Sequence, residues 1–223
     1  MTHESGGTLN SMKVAIAGGH GKIALLLTRA LAERGDEVRG IIRRPGHADD
    51  IRAAGGEPAL CDIEHEPVQA LARVVEGCDA VVFAAGAGPG SGIERKWTVD
   101  YAGAVKLMAS GVERYVMVSS VGADPDAAGD DVFAAYLRAK GRADAELMAS
   151  GLAYTIVRPG PLTDESGTGL VELGEEVERA AITRADTAAV LAAALHEPRL
   201  AGRTFGAVGG ATPLAAALAR LIG

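Results

Sequence analysis

The stretch from Met12 to Arg34 constrains this chain more than any other. A short apolar run, Val14 to Ala17, reads as a buried strand. Gly18, Gly19 and Gly21 follow as a tight turn, and a helical pattern opens at once with Ile23, Leu26, Leu27, Ala30 and Leu31 on one face. Strand, glycine turn and helix in that order form a cradle for a pyrophosphate. The glycines let the backbone approach the ligand, and the first turn of the helix offers free N–H groups and a partial positive charge. The spacing is Gly18-x-x-Gly21-x-x-Ala24, so the alternative is an ordinary strand-to-helix turn. His20, inside the turn, reads as an exposed loop residue beside the ligand rather than a catalyst.

The second strand, Glu37–Ile42, discriminates between coenzymes. An acidic residue at its end would grip a ribose 2′-hydroxyl. Here the strand runs into Arg43 and Arg44. Guanidinium groups suit a 2′-phosphate, which a carboxylate would repel. The expectation is NADP(H) in preference to NAD(H), with Arg43 as the main contact and Arg44 stacked on the adenine. Two solvated arginines at a strand end are the alternative.

Further strands are expected at Glu57–Leu60, Ala80–Ala84, Arg114–Ser119, Ala153–Val157 and Arg203–Val208. Helices are expected over Ala48–Ala54, Pro67–Glu76, Glu94–Ser110 and Asp131–Ser150, then from a capping box at Thr183–Asp186 through Leu195, and from Pro213. Alternation of this kind specifies an α/β, Rossmann-type, doubly wound parallel sheet in a single domain, which suits 223 residues. Arg158–Glu176 is rich in Pro, Gly, Thr and acids and reads as a long loop, part of a substrate flap spanning 158–182. Residues 1–11 read as a flexible tail ahead of the domain at 12–223.

Composition narrows the partners. Aromatics make up only 4% of the chain while hydrophobic residues make up 48%, so the core is aliphatic. A net charge of −7 with no basic run argues against nucleic acid. The polar N-terminus lacks the apolar centre of a signal peptide, and no apolar run approaches the roughly 20 residues that span a bilayer, so no membrane partner is expected. A cytoplasmic protein with a small-molecule substrate is the expectation, with a homodimer as candidate assembly. Cys61 and Cys78 show neither metal-ligand spacing nor a disulfide framework and read as buried free thiols; no metal is expected.

Tyr136 and Lys140 carry the chemistry. Their four-residue offset places both on one helical face. A free tyrosine has a pKa near 10, and a neighbouring ammonium favours its ionised form. Such a tyrosine exchanges a proton with a carbonyl oxygen as hydride moves, and the lysine can also hold the nicotinamide ribose. Ser119 and Ser120 end the fifth strand. Alternation lets one of them face the cleft, and Ser120 is the candidate to position the substrate oxygen.

These blocks together resemble the atypical short-chain dehydrogenase/reductases, small NAD(P)-binding proteins akin to biliverdin/flavin reductases and NmrA-like proteins. The resemblance is carried by Gly18–Ala24, Val99–Gly103, Arg114–Ser120, Tyr154–Gly160, Thr183–Asp186 and Gly209–Pro213. It implies coenzyme contacts from Gly18, Gly19, His20, Gly21, Lys22 and Ile23 in the first crossover and from Arg43 and Arg44. It places Asp62 and Ile63 at the adenine, and Ala84, Ala85 and Gly86 along the ribose and nicotinamide. Ser119, Lys140 and Pro159 complete the set, with Tyr136 and Lys140 matching the catalytic pair of active members. The chain departs from the pattern at His20, at Ala24 and in the long interval from Ser120 to Tyr136. The expected function is NADP(H)-dependent hydride transfer to or from a small carbonyl, quinone or related acceptor. A non-catalytic NADP(H) sensor is the alternative, and an epimerase or dehydratase stands behind both.

Overall fold

A computed structural model describes residues 11–88 and 90–223 of the chain; the expected tail, apart from residue 11, lies outside them. Along the chain run β1 (Lys13–Ala17), α1 (Lys22–Arg34), β2 (Glu37–Ile42), α2 (Ala48–Ala53), β3 (Glu57–Leu60), α3 (Val68–Val75) and β4 (Ala80–Phe83). A π-helical segment, Lys96–Tyr101, leads directly into α4 (Ala102–Met108). Then come β5 (Arg114–Val118), α5 (Val132–Ala149), β6 (Ala153–Pro159), β7 (Leu162–Thr163), β8 (Leu170–Gly174), β9 (Ile182–Thr183), α6 (Arg184–His196), β10 (Arg203–Gly209), β11 (Thr212–Pro213) and α7 (Leu214–Ile222).

Nine strands form the main sheet in the order β11-β8-β10-β6-β5-β4-β1-β2-β3. From β3 to β10 every neighbour is parallel. The strands β1, β4 and β5 are buried on both faces, and their side chains alternate between two cores. Val14, Ile16, Val82 and Val116 join Leu27 and Leu31 of α1 and Leu191 of α6 on one face. Ala15, Ala17, Phe83, Tyr115 and Met117 join Leu71, Leu107 and Leu147, from α3, α4 and α5, on the other. Phe83, Tyr115 and Phe205 are fully or nearly fully buried and fill core volume.

Three expectations need correction. The expected doubly wound parallel sheet is present, with one amendment at its edge, where β8 runs antiparallel to both β10 and β11. For the same reason Arg158–Glu176 is not one loop: β6 continues to Pro159, β7 pairs with β9, and β8 is a sheet strand with Val171 1% exposed. Its alternating Val171 and Leu173 are a strand pattern masked by the surrounding Gly, Thr and acids. The third correction concerns Glu94–Ser110, which is helical but widens into the π turn at Lys96–Tyr101. Such turns insert one residue and re-aim the side chains around it.

Candidate active site

Two clefts meet at the carboxyl ends of the strands. The first, of about 300 Å³, lies over β1, β2 and β3. The second, of about 540 Å³, lies between β5, the start of α5 and the end of β6. Ala84, Ala85 and Gly86, just past β4, line both.

Glycines build the first cleft for two different reasons. Gly18 has φ +78°, and a Cβ there would lie 2.6 Å from the Ala85 Cα; a Cβ on Gly19 would lie 2.8 Å from the Gly40 Cα. These two residues let the turn pass between the ends of neighbouring strands. The Gly19 N–H donates to Ile41 O and the Gly21 N–H to Gly18 O, so neither is free for a ligand. The ligand-facing capacity lies one residue on. α1 starts from Gly21 with no side-chain cap and no acidic residue in its first turn. Its leading N–H groups have no intrahelical acceptor and carry the positive end of the helix dipole, which suits a pyrophosphate. By contrast α5 and α6 are capped by Asp131 and Thr183, which accept from the N–H groups of Ala134 and Asp186.

The rest of this wall is polar. Arg43 lines the cleft with 43% of its side chain exposed, 3.9 Å from Glu64. Glu64 is committed elsewhere: it accepts from Arg95 at 2.7 and 3.2 Å and from the Thr98 hydroxyl at 2.6 Å. The Arg95 guanidinium, ahead of Thr98, holds Glu64 below the usual glutamate range despite partial burial. Asp62 and Ile63 line the cleft as well. Burial pushes the Asp62 carboxyl up, but hydrogen bonds from His65 and the Glu64 N–H outweigh it and leave it lowered. Burial raises the Cys61 thiol at the cleft floor to about 11; Cys78 is only half-buried.

Arg44, expected on the adenine, is not among the cleft residues; it precedes a short 3-10 turn, Pro45–His47, that carries His47 to the rim in its place. His47 stacks on His20 at 3.7 Å, and the His20 Nε2 sits 2.7 Å from Asp50. Lys22 points outward to Asp164 at 2.7 Å, so only its backbone faces the turn.

Side chains dominate the second cleft. Ile23, Ser119, Ser120, Tyr136, Lys140 and Pro159 all line it. The Lys140 ammonium is nearly buried. It donates to Val118 O at 2.9 Å, stands 3.8 Å from Asp100 and lies 6.0 Å from the centre of the Tyr136 ring. Both serines line the cleft, contrary to the alternation argument, because β5 ends at Val118 and the pleat stops before them. The Ser119 hydroxyl is spent on Asp144 at 2.8 Å; the Ser120 hydroxyl donates to Val121 O at 3.2 Å. Burial raises the Asp144 carboxyl, opposed by Arg158 and Ser119.

Sequence reasoning missed Lys96 and Asp100. The π turn points both at the loop after β4: Lys96 Nζ donates to Gly88 O at 2.9 Å, and Asp100 Oδ2 accepts from the Ala87 N–H at 3.1 Å. The one available signal was that Asp100 falls within Val99–Gly103, a block that carries the family resemblance.

Known proteins resemble this chain over most of its length. A family model described as NAD(P)H-binding matches residues 18–198. Over 215 residues the chain is 36% identical to YhfK of Bacillus subtilis, called an uncharacterized sugar epimerase, with 94% of this chain and 100% of that one covered. A solved structure from Bacillus halodurans, provisionally named an NAD-dependent epimerase/dehydratase, superposes with a TM-score of 0.88 at 36% identity, covering 95% of this chain and 100% of its own. The oxidoreductase ylbE from Lactococcus lactis superposes with a TM-score of 0.81 at 26% identity, covering 95% and 97%. Among the described residues no helix is long and apolar enough to cross a membrane. The chain belongs to the NAD(P)H-binding family, among Rossmann-type proteins of the reductase-like and epimerase-like kind that the atypical short-chain dehydrogenase/reductases exemplify.

Proposed function

We propose that the protein is an NADP(H)-dependent oxidoreductase that reduces or oxidises a small carbonyl, quinone or related acceptor. The observation that carries this reading is the continuity of the two clefts. The uncapped α1 terminus and Arg43 stand at one end, Tyr136 and Lys140 at the other, and Ala84, Ala85 and Gly86 floor the passage between them. The coenzyme supplies or takes up the hydride when bound. The first turn of α1 binds its diphosphate, and Arg43, left available because Arg95 holds Glu64, binds the 2′-phosphate. Tyr136 gives a proton to the acceptor oxygen or takes one from it. Lys140, 6.0 Å from the centre of the Tyr136 ring, holds the nicotinamide ribose, and Ser120, the less committed of the two serines, positions the acceptor oxygen.

The names of the relatives favour an epimerase as a second reading. Against it, the described residues 160–223 are largely taken up by strands and helices of the sheet and its cover. The test is NADPH oxidation across quinones, aldehydes and flavins. Tyr136→Phe is expected to lower kcat by about 100-fold or more and to leave the NADPH dissociation constant unchanged. Retained turnover would assign the reduction to an acceptor that needs no protein acid, and turnover without net NADPH consumption would favour the epimerase.

A further inference from the structure

The second cleft contains a charge imbalance. Two ammonium groups, those of Lys96 and Lys140, lie in its wall with one carboxylate, that of Asp100, and all three residues are at most 7% exposed. Asp100 is within ion-pair distance of Lys140, at 3.8 Å. Among the described residues no carboxylate stands within that distance of Lys96. Among the described residues its Nζ donates to the Gly88 carbonyl alone, at 2.9 Å, and lies 5.7 Å from the centre of the Tyr136 ring. An ammonium withdrawn from water without a counter-ion is costly, and one neutral acceptor leaves two of its N–H groups to be satisfied. The remaining lining is mainly apolar and partly aromatic. Val132 and Phe133 are 42% and 49% exposed, and the Phe133 ring stacks beside Tyr136 with centres 6.1 Å apart and planes 28° apart. Exposed apolar groups around a buried cation form a surface for a flat, apolar body with one acidic group.

We propose that the acceptor is a flat, aromatic or similarly unsaturated carbonyl compound bearing a carboxylate, and that Lys96 binds this carboxylate while Phe133 and Tyr136 flank the ring. This rests on the oxidoreductase reading and deepens it by naming the substrate class. The π turn is what makes the arrangement possible, since it brings Lys96 and Asp100 against the loop after β4 and sets Lys96 over Tyr136.

The test uses the full chain saturated with NADP⁺, with coenzyme binding measured first by calorimetry. Matched aromatic carbonyls are then titrated in pairs, beginning with 4-carboxybenzaldehyde and its methyl ester. The acid is expected to bind at least about tenfold tighter than the ester to the wild-type protein, as a charge-assisted contact warrants. In Lys96→Met that ratio is expected to fall to about one with the NADP⁺ affinity unchanged. Equal binding of acid and ester to the wild type, binding of neither, or an acid preference that survives in Lys96→Met would each overturn the proposal. So would a Lys96→Met protein that loses turnover on acid and ester alike, which would place Lys96 at the reacting oxygen. Failure of NADP⁺ to bind in the first step would instead overturn the oxidoreductase reading.

Discussion

The two halves of the candidate site are built by different means. Around β1, β2 and α1 the chain presents backbone: glycines that let strands and turn close up, and a helix end left uncapped. Around β5, β6, the π turn and α5 it presents side chains tied into ion pairs and hydrogen bonds, with Lys96, Asp100, Tyr136 and Lys140 arriving from two separate helices. A backbone site is local, because one crossover supplies all of it. A side-chain site is assembled, because each member depends on packing that the other members do not share. The contrast extends to helix starts. α5, which carries Tyr136 and Lys140, caps itself with Asp131, whereas α1 has no side-chain cap.

The largest expected effect breaks the backbone half. Gly19→Val would place a Cβ 2.8 Å from the Gly40 Cα, where neither strand end can yield. A loss of about 3 kcal/mol or more in unfolding free energy is expected by urea denaturation, with coenzyme binding lost alongside. Arg43→Ala is milder. It removes one charge-assisted contact and is expected to raise KM for NADPH by roughly tenfold or more, with little change for NADH. Equal effects on both would remove the case for a 2′-phosphate contact.

Asp131→Ala addresses the other half by its scaffold rather than its chemistry. Loss of the cap on α5 is expected to cost about 1 kcal/mol of stability and to leave KM for NADPH unchanged. A large change in KM would show that the start of α5 is coupled to the coenzyme half. The smallest effect concerns pH. Arg95 and Thr98 keep Glu64 below its ordinary value, so the stabilisation it contributes is complete above the usual glutamate range and is lost as pH falls through the lowered folded value. Urea midpoints compared at about pH 6 and about pH 3 are expected to differ less in Glu64→Gln than in wild type. An unchanged difference would mean the Arg95–Glu64 pair does not stabilise the fold.

Legibility from sequence follows the same division. The first crossover and Arg43 were readable because strand, turn, helix and following strand are contiguous, and their periodicities are short-range. Tyr136 and Lys140 were readable because a four-residue helical offset is a local signal. Lys96 and Asp100 were not, since an ordinary helical reading of Glu94–Ser110 gives no sign of the π turn that aims them. Arg44 and His47 were exchanged for a similar reason: a 3-10 turn after β2 decides which of them reaches the cleft rim. β8 escaped notice because its pairing partners, β10 and β11, lie 32 to 43 residues away in the chain, and its own composition resembles a loop. The serines after β5 were misjudged by one step of reasoning, which carried strand alternation past the end of the strand.

The central claim is that the two clefts form one site, with a single coenzyme running from Arg43 to Tyr136. A crystal structure of the protein with NADPH tests it most directly. The account predicts the 2′-phosphate against Arg43, the diphosphate over the first turn of α1, and the dihydronicotinamide ring beyond Gly86, facing the Tyr136 hydroxyl. A coenzyme bound with its nicotinamide ring turned out to solvent, away from Tyr136 and Lys140, would contradict it.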